Sequence, residues 1–365
     1  MLNRLHGGDI RAHTGSGAAR VVDFSANINP LGYPACVEAV LAKSAGKIIH
    51  YPEHDAGSLT EALARHHAVS ARNIVAGNGS IELIYLIPKA LGLKKVLIIT
   101  PTFSEYETAS RIHGARTVFL RLGPKNDFKP DIDRVIRALD DVDGIFLCNP
   151  NNPTGTAFSR DELTRIWSAC GERDVTMVVD EAFIDFRPDG ARKSLVRNAV
   201  KSPGLVVLRS LTKIYALAGL RAGYIVAHKD TAGHISRYQY PWSVNSLASE
   251  VGKAVLRDRA YMKKTHQTVA REAAYMYRHL GAIEDIMVYR TDANFFLCRL
   301  KKTAVVSSAS VLKKRLLARG IIVRDCSNFR GLDRSYFRVA VKRREDNSKL
   351  LSALRHVLEA AKRRQ

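Results

Sequence analysis

Between Asn73 and Ala227 short apolar runs alternate with amphipathic stretches, and this alternation constrains the fold more than any other feature of the chain. The runs Val96–Thr100, Arg116–Arg121, Gly144–Asn149, Val175–Asp180, Leu205–Arg209 and Ala222–Ala227 have the length and Val, Ile and Leu content of strands. Intervening segments such as Asp161 to Cys170 read as helices. Repeated strand and helix units predict an α/β fold, a mostly parallel sheet covered by helices. In such sheets ligands gather at the carboxyl ends of the strands.

Pro241-Trp242-Ser243-Val244-Asn245 interrupts the pattern, and a long helical stretch from about Ser246 to Leu280 is expected next. Short strands (Met287–Arg290, Asn294–Leu300, Ile321–Arg324, Tyr336–Val341) then alternate with helices near Ser310–Arg319 and Asp346–Ala361. The expected organisation is a loop-rich segment over 1–40 that returns toward the active site, a large domain over 41–245, and a smaller C-terminal α/β domain over 246–365. A chain of 365 residues suits two such domains and a sizeable core.

No apolar run approaches the roughly 18 residues of a membrane helix. Met1 to Gly8 lacks the apolar core of a secretory signal, so a cytoplasmic location is expected. The five cysteines have no Cys-x-x-Cys pairing, which argues against a disulfide framework or structural zinc, and they read as buried thiols. No helical His-x-x-x-His pair occurs among the histidines, and no metal site is assigned. The formal charge of +22 is concentrated late in the chain, with 27 Lys and Arg against 11 Asp and Glu from Ser246 onward. Clusters such as Lys313-Lys314-Arg315 fall on helical segments without an interleaved aromatic motif, so a solvated basic face is favoured over a nucleic-acid surface. Such a field draws phosphorylated anions.

Lys213, in Ser210-Leu211-Thr212-Lys213, is the candidate nucleophile. A lysine attacks a carbonyl usefully only when burial or a nearby cation lowers its pKa, and Arg221 is the candidate cation. A pyridine cofactor also needs a carboxylate on its ring nitrogen and donors for its phosphate. Asp180 ends an apolar run and is placed to be that carboxylate. Gly77-Asn78-Gly79-Ser80 precedes the amphipathic segment Ile81 to Leu91, so its amides would point out of a helix amino terminus toward an anion, although Gly-Asn-Gly alone is more often a turn. Ser210, Thr212 and Arg221 add donors. Asn152, in Asn149-Pro150-Asn151-Asn152-Pro153, follows a strand and is a candidate donor to a phenolic oxygen. Phe103 is a candidate stacking ring, against the commoner reading of a core aromatic.

These residues, with His6-Gly7-Gly8, Asp23 to Gly32, Tyr51-Pro52, Asp180 to Phe186, Arg209 to Lys213 and Pro241 to Asn245, resemble the class I/II aminotransferase family of fold-type I pyridoxal phosphate enzymes over most of the chain. The resemblance implies Lys213 as the Schiff-base lysine, Asp180 on the pyridine nitrogen, Asn152 on the phenolic oxygen and Phe103 stacked on the ring. Gly79, Ser80, Ser210, Thr212 and Arg221 would hold the phosphate, joined by Tyr51 from the second subunit of a homodimer. Arg338 matches the arginine that grips a substrate α-carboxylate. Phe183 stands where many aminotransferases carry tyrosine, a departure that implies weakened transamination. The implied activity is decarboxylation of L-threonine O-3-phosphate, its phosphate held by Arg324, His6 and Asn27. Against this, Arg324 alone reads equally as a surface ion pair with Asp325, and His6 as a loose terminal residue. Histidinol-phosphate transamination and O-phosphoserine decarboxylation are the alternative activities.

Overall fold

A computed structural model describes residues 6–10, 21–302, 304 and 306–362. The strands in chain order are β1 (Val22–Asp23), β2 (Ile74–Asn78), β3 (Lys95–Thr100), β4 (Arg116–Arg121), β5 (Gly144–Cys148), β6 (Thr176–Asp180), β7 (Leu205–Ser210), β8 (Ala222–Ala227), β9 (Ile286–Val288), β10 (Phe295–Leu300), β11 (Ile321–Ile322), β12 (Arg324–Asp325) and β13 (Tyr336–Ala340). Seven of them form one sheet in the order β2-β8-β7-β6-β5-β3-β4. β4, β3, β5, β6 and β7 are parallel, whereas β8 runs antiparallel to both β7 and β2. β5, β7 and β8 are buried at every position, which is why their sequences are unbroken apolar runs rather than alternating ones.

The single antiparallel strand has a direct consequence for the site. Because β8 is reversed, its first residue Ala222 lies opposite Asn78 at the end of β2, and Gly223 lies opposite Ser210 at the end of β7. Arg221, just before β8, therefore reaches the same edge of the sheet as the residues that follow the parallel strands.

The smaller sheet has the antiparallel order β12-β13-β10-β9, and β1 pairs in parallel with β11. The N-terminal segment is stitched into this region: Phe24 N–H donates to Ile322 O (2.8 Å), and Ala340 N–H donates to Phe24 O (2.9 Å). The run expected as one strand over 321–324 is split at Val323 into β11 and β12, which belong to different sheets. The expected helical stretch after Asn245 is also divided, into Ser246–Val255 and Arg259–Gly281. Asp258 ends the break by accepting from Tyr261 N–H (2.8 Å), an N-cap that starts the second helix. Val251, Val255, Tyr261 and Val269 pack into the large core, while Met276 and Leu280 enter the small-domain core, so the longer helix joins the two. Four of the five cysteines are buried and Cys36 is half-buried, all as free thiols. Among the described residues no helix is long and apolar enough to cross a membrane.

Asp180 to Phe186 also carries a buried ion cluster. Glu181 accepts from Arg209 Nη1 (3.1 Å), Ser194 Oγ (2.6 Å) and Leu195 N–H (2.9 Å), and Arg209 Nη2 also donates to Asp185 (2.5 Å). Burial pushes the Glu181 carboxyl above its ordinary range, against the pull of Arg209. Removing one partner of such a pair strands a buried charge. Arg209→Met is expected to lower the unfolding free energy by about 3 kcal/mol in urea titrations, with Glu181→Leu added to it recovering much of the loss.

Candidate active site

A cavity of about 540 Å³ opens at the carboxyl ends of the parallel strands, beneath the small domain. Its wall includes His6, Asn27, Ser80, Phe103, Asn152, Asp180, Ser210, Thr212, Lys213, Arg221, Arg324 and Arg338. Of the residues nominated from the sequence, only Gly79 and Tyr51 are not on that wall.

Lys213 lies in the short helix Leu211–Ile214 after β7. The loop is held from the N-terminal segment: Asn29 N–H donates to Lys213 O (3.1 Å), and Asn29 Nδ2 donates to Ile214 O (2.7 Å) and Thr265 Oγ1 (2.9 Å). Burial first, then Arg338, then Arg221 pull the Lys213 ammonium down to about 8, opposed by Asp180. The expected cation was Arg221, yet Arg338 from the small domain contributes more. Only the neutral form of a lysine amine adds to a carbonyl, so capture of pyridoxal phosphate by the apoprotein is expected to rise about tenfold per pH unit up to pH ~8 and then level off. Borohydride trapping at a series of pH values measures this, and a rise continuing to about pH 10.5 would mark an ordinary lysine.

Asp180, at the end of β6, is buried. It accepts from Tyr106 Oη (2.7 Å) and from Ala182 N–H (2.9 Å). Burial raises its pKa while both hydrogen bonds and Lys213 oppose the rise. The result is a fixed carboxylate with enhanced affinity for a proton. Sequence reasoning missed Tyr106; the only available signal was its position three residues after Phe103. The two rings meet edge to face, with centroids 5.7 Å apart.

At the reversed-strand edge, Gly79 begins the helix Gly79–Ala90 with φ +75°, and a Cβ there would stand 2.5 Å from Arg221 Nη2. Gly223 admits the same turn, since its Cβ would meet Ser80 N at 2.2 Å. Arg221 itself has φ +62° and donates through Nη1 to Ala218 O (3.2 Å). Helix amides, hydroxyls of Ser80, Ser210 and Thr212, and one guanidinium thus converge as an anion cradle.

The opposite wall comes from the small domain. Arg324 and Arg338 are register partners on β12 and β13, two buried cations directly across from each other. Like charges in that relation destabilise a sheet, and their pairing marks a site shaped for anions. Arg338 donates to Asn152 Oδ1 and to Ser25 O (2.7 Å), while its Nε is buried without a partner among the described residues. Burial draws Arg338 down to about 10, with Arg324 lowering it further. Arg324 is not the surface ion pair that its neighbour Asp325 suggests: it donates to Asp325 O and to Asn328 Oδ1 (2.8 Å). Asn27 Oδ1 is also buried without a partner among the described residues. His6 Nε2 lies 2.9 Å from Glu105 Oε1, and Gly8 N–H donates to Ser25 Oγ (2.8 Å), which docks the segment over the cavity. Glu105, which was not anticipated, is itself held by Tyr85 Oη (2.5 Å).

Tyr51 is elsewhere. It is 83% exposed, with its ring 5.0 Å from that of Trp242, near the exposed Ile48 and Ile49. Phe183 is buried in the cavity wall, its ring 5.1 Å from Phe295.

The family model for aminotransferase class I and II matches residues 19–354. A Salmonella typhimurium protein named threonine-phosphate decarboxylase is 39% identical over 363 residues, 98% of each chain. The crystal structure of L-threonine-O-3-phosphate decarboxylase from Porphyromonas gingivalis is 32% identical, with a TM-score of 0.81 over 92% of this chain and 99% of that one. Histidinol-phosphate aminotransferase from Clostridium acetobutylicum superposes with a TM-score of 0.86 at 32% identity, over 92% and 99% of the two chains. The chain belongs to the aminotransferase class I and II family.

Proposed function

We propose that this chain releases the α-carboxylate of L-threonine O-3-phosphate as carbon dioxide, using pyridoxal phosphate joined to Lys213. The observation that carries the reading is the buried pair Arg324 and Arg338, which faces the same cavity as a lysine of lowered pKa and calls for a substrate with two anionic ends. Arg338 is the cation that acts most strongly on Lys213, so the carboxylate is assigned to it. Arg324, backed by Phe329 and close to His6 and Asn27 around the cavity, takes the phosphate. The two relatives named for this substrate support the assignment.

The residues fit the cofactor. A phosphate suits the cradle of Gly79, Ser80, Ser210, Thr212 and Arg221, where a Cβ at Gly79 would block the guanidinium. A protonated ring nitrogen suits Asp180, whose raised proton affinity is met among the described residues by Tyr106 Oη, the Ala182 amide and the charge of Lys213. Asn152 is assigned to the phenolic oxygen and Phe103 to the ring face. Pyridoxal phosphate, when bound, supplies an aldehyde that condenses with amines and a ring that accepts the electron pair of a bond cleaved at the substrate α-carbon.

The chain's own groups decide which bond breaks. The bond standing perpendicular to the ring plane is the labile one, and two anchors fix the rotation of the substrate about its α-carbon. With its carboxylate on Arg338 and its phosphate on Arg324, the substrate is held at both ends, which supplies the orientation an enzyme needs. Once displaced by the substrate amine, Lys213 Nζ, whose unlinked amine has a pKa lowered to about 8, would hold the proton given up by the substrate ammonium and return it to the α-carbon after carbon dioxide leaves. Phe183 brings no hydroxyl to the phenolic side, in keeping with a decarboxylase rather than an efficient aminotransferase. Tyr51, exposed on the same surface as Ile48, Ile49 and Trp242, is assigned to the cofactor phosphate of a second copy, making the working unit a homodimer.

Purified holoenzyme should release carbon dioxide from O-phospho-L-threonine with no 2-oxo acid present. O-phospho-L-serine, one methyl smaller, should be discriminated by only about 1 to 3 kcal/mol. Turnover of histidinol phosphate that depends on 2-oxoglutarate, without carbon dioxide from phosphothreonine, would overturn the proposal.

A further inference from the structure

The guanidinium of Arg324 is oriented by the loop that follows it. Nη2 donates to Asn328 Oδ1 (2.8 Å), and the cation lies 5.2 Å from the centroid of Phe329, which also lines the cavity. The loop folds on itself through Phe329 N–H to Cys326 O (3.0 Å) and Leu332 N–H to Phe329 O (3.0 Å). Asn328, Phe329 and Arg330 therefore belong to one hydrogen-bonded turn.

Arg330 points the other way, into the large domain. Its Nε and Nη2 donate to the two carboxylate oxygens of Glu107 (3.1 and 2.7 Å), and its cation stacks 4.1 Å from the centroid of Phe119 on β4. At the next residue, Gly331, an added Cβ would stand in van der Waals contact with Pro101, the residue after β3. Glu107 belongs to the helix Glu105–Ile112, which directly follows Phe103 of the cavity wall. A forked, stacked arginine is a directional contact that a lysine reproduces only in part.

We infer that Arg330 is a positioning residue for substrate specificity: by clasping Glu107 and Phe119 it fixes the loop of Asn328 and Phe329, and through them aims Arg324 at the phosphate of the substrate. The loop then couples recognition of the phosphate on the small domain to the large domain that carries Lys213. An exposed ion pair used for stability alone contributes little. Here its geometry is relayed through Phe329 and Asn328, one and two residues back, to the buried cation of Arg324.

This inference rests on Arg324 as the phosphate partner, and the experiment separates the two. Holoenzyme is titrated with O-phospho-L-threonine and with L-threonine, following the absorbance of the bound cofactor, in wild type and in Arg324→Gln, Arg330→Met, Arg330→Lys and Glu107→Gln. Arg330→Met and Glu107→Gln should weaken phosphothreonine binding about tenfold and threonine binding less than about twofold, with Arg330→Lys between wild type and Arg330→Met. Melting midpoints within about 3 °C of wild type would accompany this, as expected for a surface pair. Equal weakening of both ligands would make Arg330 a merely structural residue and overturn the inference, as would no change in either. If Arg324→Gln abolishes the preference for the phosphorylated ligand and Arg330→Met preserves it, the clasp alone is refuted. If Arg324→Gln preserves the preference, the phosphate assignment falls and the inference with it.

Discussion

Lys213→Ala is expected to lower kcat for carbon dioxide release by on the order of 10⁴-fold or more, because in the proposed mechanism the same side chain serves as covalent partner and proton carrier. Loss of two roles at one atom cannot be offset by neighbours: Arg338 and Arg221 are cations, and Asp180 faces the ring nitrogen in the proposed arrangement. The variant should also lose the borohydride-trapped adduct while keeping its fold, since removal of a buried ammonium with a lowered pKa relieves a desolvation cost. Peptide mapping of reduced holoenzyme supplies the measurement. An adduct that remains at full yield in Lys213→Ala would place the reactive amine elsewhere and overturn the catalytic assignment.

Arg338→Gln should cut kcat/KM for phosphothreonine by about 10² to 10³-fold, the usual consequence of truncating one member of a desolvated charge pair with a ligand. A second effect follows from its position. Arg338 is the strongest of the cations lowering the pKa of Lys213, so its removal should move the pH at which the apoprotein captures pyridoxal phosphate upward from about 8. The sign is set by charge: without a nearby cation the ammonium is less penalised and gives up its proton later. A fall in kcat/KM with no change in the capture profile would mean that Arg338 acts on the substrate alone. Arg324→Gln offers the internal comparison, because Arg324 does not contribute to the lowered pKa of Lys213.

The large sheet was legible because its signal is local. Strands buried on both faces must be continuously apolar, and the runs ending at Thr100, Asp180 and Ala227 agree with the observed ends of β3, β6 and β8. Lys213, Asp180 and Asn152 were legible for a related reason: each follows or ends a strand, and a parallel sheet delivers such positions to one edge. The split of the expected strand at Val323 was not legible, because pairing with β1 on one side and β13 on the other is a contact between distant segments. The break before Arg259 was written in Asp258, a good N-cap residue, but an uninterrupted amphipathic pattern concealed it.

The order of residues along this chain was sufficient for the class of fold and for nominating the lysine, the carboxylate and the cradle of the proposed site, since these depend on short-range periodicity and on which strand each residue terminates. Tertiary structure alone decided that Arg324 faces Arg338, that Tyr106 donates to Asp180, that Glu105 meets His6 and that Arg330 clasps Glu107. Those relations join residues separated by 14 to 223 positions or lying on different domains, and sequence spacing carries no information about distance once the chain has turned back on itself. The same holds for Lys213: its identity is visible in a tetrapeptide, but its lowered pKa arises from burial and from a guanidinium contributed by the other domain.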